Sequence, residues 1–119
     1  MNLFEYIKKE KKQQGLNYKE IPEVLGISPQ RFYKIMEQED CQLSVARKMV
    51  NALGKNLEIR KTDGASADVD SEDTLHKLEV SRATLSISKT MVEMAGYALF
   101  VVDNTETHKN ALSGINLRI

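Results

Sequence analysis

The chain has 119 residues, 41% of them hydrophobic and 29% charged, the balance of a folded globular domain rather than a disordered one. No run approaches the roughly 18 consecutive apolar residues of a membrane span, and the start, MNLFEYIKKEKKQQG, is too densely charged for a secretory signal. A single cysteine, Cys41, excludes an intramolecular disulfide and a cysteine metal cluster, so the expected setting is cytoplasmic.

The formal net charge is zero, but the halves differ. Residues 1–61 hold 12 Lys+Arg against 8 Asp+Glu, a balance of +4, and residues 62–119 a balance of −4. Such asymmetry points to a polyanion as partner for the first half.

In chain order, Asn2 with Glu5 three residues later has the spacing of a capping box. Leu3, Phe4 and Ile7 then form an apolar stripe, and Gly15 ends the helix. Asn17 is the next expected cap, followed by a helix through Leu25 with Ile21, Val24 and Leu25 at helical spacing. Gly26 closes that segment, and Ser28-Pro29 opens another, a strong helix start. Two short helices joined by Gly26-Ile27-Ser28 have the layout of a helix-turn-helix.

The third helix, Pro29 to about Glu37, turns Phe32, Ile35 and Met36 inward. Gln30 and Arg31 stand in its first turn, where a recognition helix meets base edges. Gln pairs with adenine and Arg with guanine through two hydrogen bonds each. A fourth helix, Leu43–Leu53, buries Leu43, Ala46, Met49, Val50 and Leu53, and Gly54 closes it.

The run GLNYKEIPEVLGISPQRFYKIMEQ, followed by LSVARKMVNALG, resembles the Cro/phage-repressor helix-turn-helix, or XRE, family. The resemblance covers about residues 3–59, through Ile21, Leu25, Gly26, Ile27, Ser28, Phe32, Ile35, Leu43, Met49, Leu53 and Gly54. It implies a sequence-specific DNA-binding regulator, a repressor, with residues 29–37 in the major groove of double-stranded DNA. Gln30, Arg31, Tyr33 and Lys34 become base-contact candidates; Asn17, Tyr18, Lys19 and Ser28 become phosphate-contact candidates. Two positions depart from the family. Tyr18 replaces a usual Gln, and Pro22 replaces a small residue. A proline inside a helix costs roughly 3 kcal/mol, so the second helix is expected to be short or bent.

The second half repeats part of the first. Residues 43–61 read LSVARKMVNALGKNLEIRK, and residues 85–103 read LSISKTMVEMAGYALFVVD, with Leu, Ser, Met, Val, Gly and Leu recurring in place. The pattern is a repeated helix–Gly–strand unit. Leu57–Lys61 alternates like a half-buried strand, Ala98–Val102 reads as a better-covered one, and Ile115–Ile119 as a third. Residues 104–114 read as a long hairpin connection, and Thr74–Val80 as at most the end of a third-helix equivalent.

The expected fold is therefore α+β, mainly α: a four-helix helix-turn-helix domain with a trailing strand (1–61), an acidic linker (62–73), and a helix with two strands (74–119) completing a small antiparallel sheet. The last part is read as the oligomerisation half of a homodimer, with Leu57, Ile59, Leu99, Val101, Ile115, Leu117 and Ile119 at the interface. Met36, Met49, Met91 and Met94 read as core filler. His76 and His108 lack ligand-spaced neighbours, so no metal is expected. Nothing in the sequence calls for a cofactor or an enzymatic reaction. Two alternatives stand beside the regulator: an antitoxin of the same fold that binds a toxin protein, and a degenerate module retained for protein contacts.

Overall fold

Short polar side chains set where four helices begin. Asn2 Oδ1 accepts from the Glu5 N–H at 2.9 Å, and Ser28 Oγ from Arg31 at 3.1 Å. Asp70 Oδ1 accepts from Asp73 at 3.0 Å, and Thr84 Oγ1 from Ile87 at 3.2 Å. Each satisfies an orphan first-turn donor. The computed structural model describes residues 2–16, 19–103 and 116–119. Its elements are α1 (Leu3–Gln13), α2 (Glu20–Leu25), α3 (Pro29–Gln38), α4 (Leu43–Ala52), β1 (Lys55–Lys61), α5 (Ser71–Val80), α6 (Leu85–Met94), β2 (Tyr97–Asp103) and β3 (Asn116–Arg118). The fold is α+β, mainly α, with a three-stranded antiparallel sheet in the order β1-β2-β3.

The repeat is larger than the sequence alone displayed. Adding 42 to the bounds of α3, α4 and β1 gives those of α5, α6 and β2. Hydrogen bonds obey the same shift. Leu43 N–H donates to Ala83 O at 2.9 Å, and Leu85 N–H donates to Cys41 O at 2.7 Å. Gln42 bridges its own counterpart, Thr84. In the sheet, the Lys55–Asp103 pair maps onto Lys61–Tyr97, and Glu58–Phe100 maps onto itself. The two helix–helix–strand units are thus related by an internal pseudo-twofold axis through Glu58 and Phe100. Gly54 and Gly96 take the same left-handed turn in each unit, with φ of 79° and 90°.

Strand alternation places Leu57, Ile59, Leu99 and Val101 on one face of the sheet. That face joins Leu3, Ile7, Phe32, Leu43, Met49, Leu75 and Ile119 in one continuous core. The opposite face of β2 buries Ala98, Phe100 and Val102, so β2 is covered on both sides, as its apolar run foretold. Arg47, from α4, ties the units together. Its guanidinium pairs with Glu72 at 2.5 Å and with Glu79, both on α5. Burial pulls the Arg47 pKa down, but the hydrogen bonds and charge of the two carboxylates more than offset it, leaving it raised. Lys55 pairs with Asp103 at 2.5 Å across the first register pair.

Several expectations change. The acidic stretch is not all linker, because α5 starts at Ser71 on its Asp70 cap. It matches the whole of α3, not merely its end. Five dimer candidates, Leu57, Ile59, Leu99, Val101 and Ile119, are buried in the chain's own core, and Leu117 is half-buried against it. The five buried ones present no face to a second copy. The outer edge of β1 is also occupied: Ile59 N–H donates to Ser71 Oγ at 2.8 Å and Lys61 N–H to Ala65 O at 2.9 Å. That blunts the edge against pairing with another chain. Met36 and Met49 are core residues as expected, but Met91 and Met94 are exposed. Val24, expected on the inner stripe of α2, is exposed as well. Ile115 and the expected hairpin over 104–114 lie outside the described residues.

A shared core makes the two units unfold together. Leu99→Ala, in the second unit, should lower the unfolding free energy of the whole chain by about 2–5 kcal/mol. Urea unfolding followed by far-UV signal and by amide resonances of α1 should show one coincident transition. Two separated transitions would contradict the single core.

Candidate nucleic-acid interface

Glycine and proline shape the turn between α2 and α3. Gly26 takes φ 71°, and its N–H donates to Glu23 O at 3.2 Å while Ile27 N–H donates to Pro22 O at 3.0 Å. These two bonds close the end of α2 in a Schellman arrangement. Ile27 then packs against the core, and Ser28 with Pro29 starts α3. The proline inside α2 is accommodated by position. The helix runs only from Glu20, so Pro22 stands in its first turn, where an N–H has no intrahelical partner to lose. Its ring is fully buried. The short helix expected from Pro22 is the one observed.

Phe32, Ile35 and Met36 fix the rotation of α3 by facing the core, with Phe32 fully buried. The opposite side is therefore determined. Gln30, Arg31, Tyr33 and Lys34 are all exposed. Gln30 and Lys34 point most directly away from the core by helical geometry, with Tyr33 and Arg31 on the flanks. The Tyr33 ring stays in tilted contact with Phe32, its centroid 6.4 Å away, which steadies it at the surface. Ser28 is exposed, but its hydroxyl already accepts from Arg31 N–H as the helix cap. Its first role is structural, and any phosphate contact would use its hydroxyl proton.

Glu37 shares the outward face of α3, three residues beyond Lys34, and is exposed. It was not among the expected contacts, although its i+3 and i+7 spacing from Lys34 and Gln30 marks the position. A carboxylate there can accept from the amino group of cytosine. The start of α2 is more acidic than a phosphate-binding end should be. Lys19 is exposed, but Glu20 and Glu23 are exposed beside it in the first turn. They favour the helix dipole and oppose a phosphate. Asn17 and Tyr18 lie outside the described residues. The charge excess of the first half is spread over α1, α4 and β1, and on α1 Lys8, Lys9 and Lys12 are exposed.

The second unit offers different chemistry at the matching place. Glu72 and Asp73 on α5 stand where Gln30 and Arg31 stand on α3. Two carboxylates in a first turn are repelled by phosphate. His76 is exposed on α5, and among the described residues no three His, Cys, Asp or Glu side chains are grouped to hold a metal ion. His108 lies outside the described residues. No helix among the described residues is long and apolar enough to cross a membrane.

Protein-family models, curated proteins and solved structures were searched, and none matches this chain.

Besides Arg47, two groups of the first unit are shifted from their ordinary pKa values. Cys41 follows α3, and burial, with Asp40 beside it, pushes its thiol up to about 12. Tyr6 on α1 is pushed up to about 12 by burial and then by Glu10 and Asp103. Its buried hydroxyl has no hydrogen-bond partner among the described residues. Both groups favour the protonated form when folded. Their contribution to stability is complete below the ordinary values of 9.0 for the thiol and 10.0 for the phenol, and is lost as pH rises towards about 12. Urea unfolding at pH 8, 9.5 and 11 should therefore show falling stability. Tyr6→Phe combined with Cys41→Ala should flatten that fall. An unchanged slope in the double variant would show that other groups cause it.

Proposed function

We propose that this protein is a sequence-specific DNA-binding regulator that acts as a repressor by inserting α3 into the major groove. The observation that supports this reading best is the composition of one surface. A three-residue turn (26–28) delivers a helix whose inner face is locked by Phe32, Ile35 and Met36. Its first turn and outward face offer Gln30, Arg31, Tyr33 and Lys34. Paired donors and acceptors on a rigidly held first turn are what base-edge readout requires. Lys19, exposed at the start of α2, supplies attraction to phosphate that helps position such a helix.

In this reading each chain holds one reading head. Five of the residues that were expected to join two copies are internal, and the acidic α5 takes the place that a second head would occupy. The pseudo-twofold partner of α3 is thus a scaffold, held to α4 by the Arg47 pairs.

The test uses the full chain. A duplex should be selected from random sequence and binding followed by fluorescence anisotropy. Affinity should fall steeply with added salt, as counterions are released. Arg31→Ala should weaken the selected site by about 1–3 kcal/mol and relax its sequence preference. Lys19→Ala should weaken selected and random duplexes alike. Failure to bind any duplex at low salt would overturn the reading. Equal losses on both duplexes for Arg31→Ala would remove Arg31 from base readout.

A further inference from the structure

The second unit exposes what the first unit buries. Met49 on α4 is fully buried, whereas its counterpart Met91 on α6 is 53% exposed. Ile87 and Met94 on the same helix are 53% and 83% exposed. The three stand at i, i+4 and i+7, so they form one continuous apolar stripe. Val80, at the end of α5, is also exposed.

A groove of about 190 Å³ runs beside this stripe, lined by Thr74, Leu78, Met91, Val92, Ala95 and Tyr97 among others. The internal symmetry explains it. Thr74 stands where the first unit has Phe32, and Ala95 where it has Leu53, both large and buried in the first unit. The second unit lacks those two side chains' bulk. Among the described residues its cover is also thinner, with only Val69 of the preceding segment at the groove. In the first unit α2 packs on α4, whereas residues 62–70, which precede α5, contain no helix to lie on α6.

We propose that the α6 face is a docking surface for a short amphipathic helix of another protein, seated on α6 as α2 is seated on α4. One bulky apolar side chain of that helix fills the groove left by Thr74 and Ala95. The occupant follows from the pseudo-twofold axis, because the equivalent surface of this same chain is closed by a short helix bearing Ile21 and Leu25. A second copy is a poorer occupant. The inner faces of its other described helices are already buried in its own core. The inference does not depend on DNA reading.

The probe is the synthetic peptide of residues 2–27, the α1–α2 segment of this chain, added to the isotopically labelled full-length protein. The peptide should bind saturably and shift amide resonances at 74–78 and 87–97. Met91→Asp should weaken it about tenfold or more, since the carboxylate would be buried unpaired. Met94→Asp, at a still more exposed position, should act the same way while leaving the circular dichroism spectrum and duplex binding unchanged. Three results would overturn the proposal. One is the absence of saturable binding. Another is shifts centred on residues 43–53, which would mean displacement of the native α2. The third is a wild-type dimer in sedimentation that Met94→Asp dissociates, which would make a second copy the occupant.

Discussion

The antiparallel pairing of β1 with β2 is the constraint on which the rest of the molecule depends. Seven register pairs run from Lys55–Asp103 to Lys61–Tyr97. Because side chains alternate, this register puts Leu57, Ile59, Leu99 and Val101 on one face together. A slip of one residue would turn each strand's apolar set to the wrong side. The pairing also joins two units that are each too small to close a core. The α4 and α6 helices pack on this sheet, and their N-terminal N–H groups exchange hydrogen bonds with the loop of the opposite unit. The orientation of α3 is thus set indirectly. Phe32 and Met36 dock into a core whose floor the sheet provides.

Much of this was legible in the residues. Ser28-Pro29 and Asn2 mark helix starts with side chains that have no better use, and the structure uses both as caps. The spacing of Phe32, Ile35 and Met36 determined which face of α3 is outward. The recurrence of Leu, Ser, Met, Val, Gly and Leu at one offset located the second helix and its strand. The start of α5 was hidden for a physical reason. TDGASADVDSED has the small, acidic composition of a loop, yet Asp70 followed by Glu72 and Asp73 is also a cap with a dipole-matched first turn. Only two apolar anchors, Leu75 and Leu78, follow it, too few for a clear period.

Other features were not legible in principle. Alternation in Leu57–Lys61 and Ile115–Ile119 shows that a strand has an apolar side. It does not show whether the cover comes from the same chain. Here it does for Leu57, Ile59, Leu99, Val101 and Ile119, which lie in the chain's own core. Apolar residues surround much of α6, so periodicity could not say whether Met91 or Val92 would be covered. The answer depended on the missing counterpart of α2, a property of topology rather than of local pattern. Glu37 was not legible as a contact because a carboxylate looks out of place beside Gln30, Arg31 and Lys34 until its position on the same outward face is seen.

The two units differ in the chemistry of their surfaces. The first keeps polar and basic groups on α3 and closes its helices against each other. The second places carboxylates on α5 and leaves α6 open. The central claim is that the outward face of α3 meets DNA while the second unit does not. Amide chemical-shift mapping of the full chain with a selected duplex tests it most directly. The account predicts the largest shifts between residues 26 and 38, centred on Gln30, Arg31 and Lys34, with α5 and α6 unmoved. Shifts centred on residues 71–80 or 87–94, with α3 undisturbed, would contradict it.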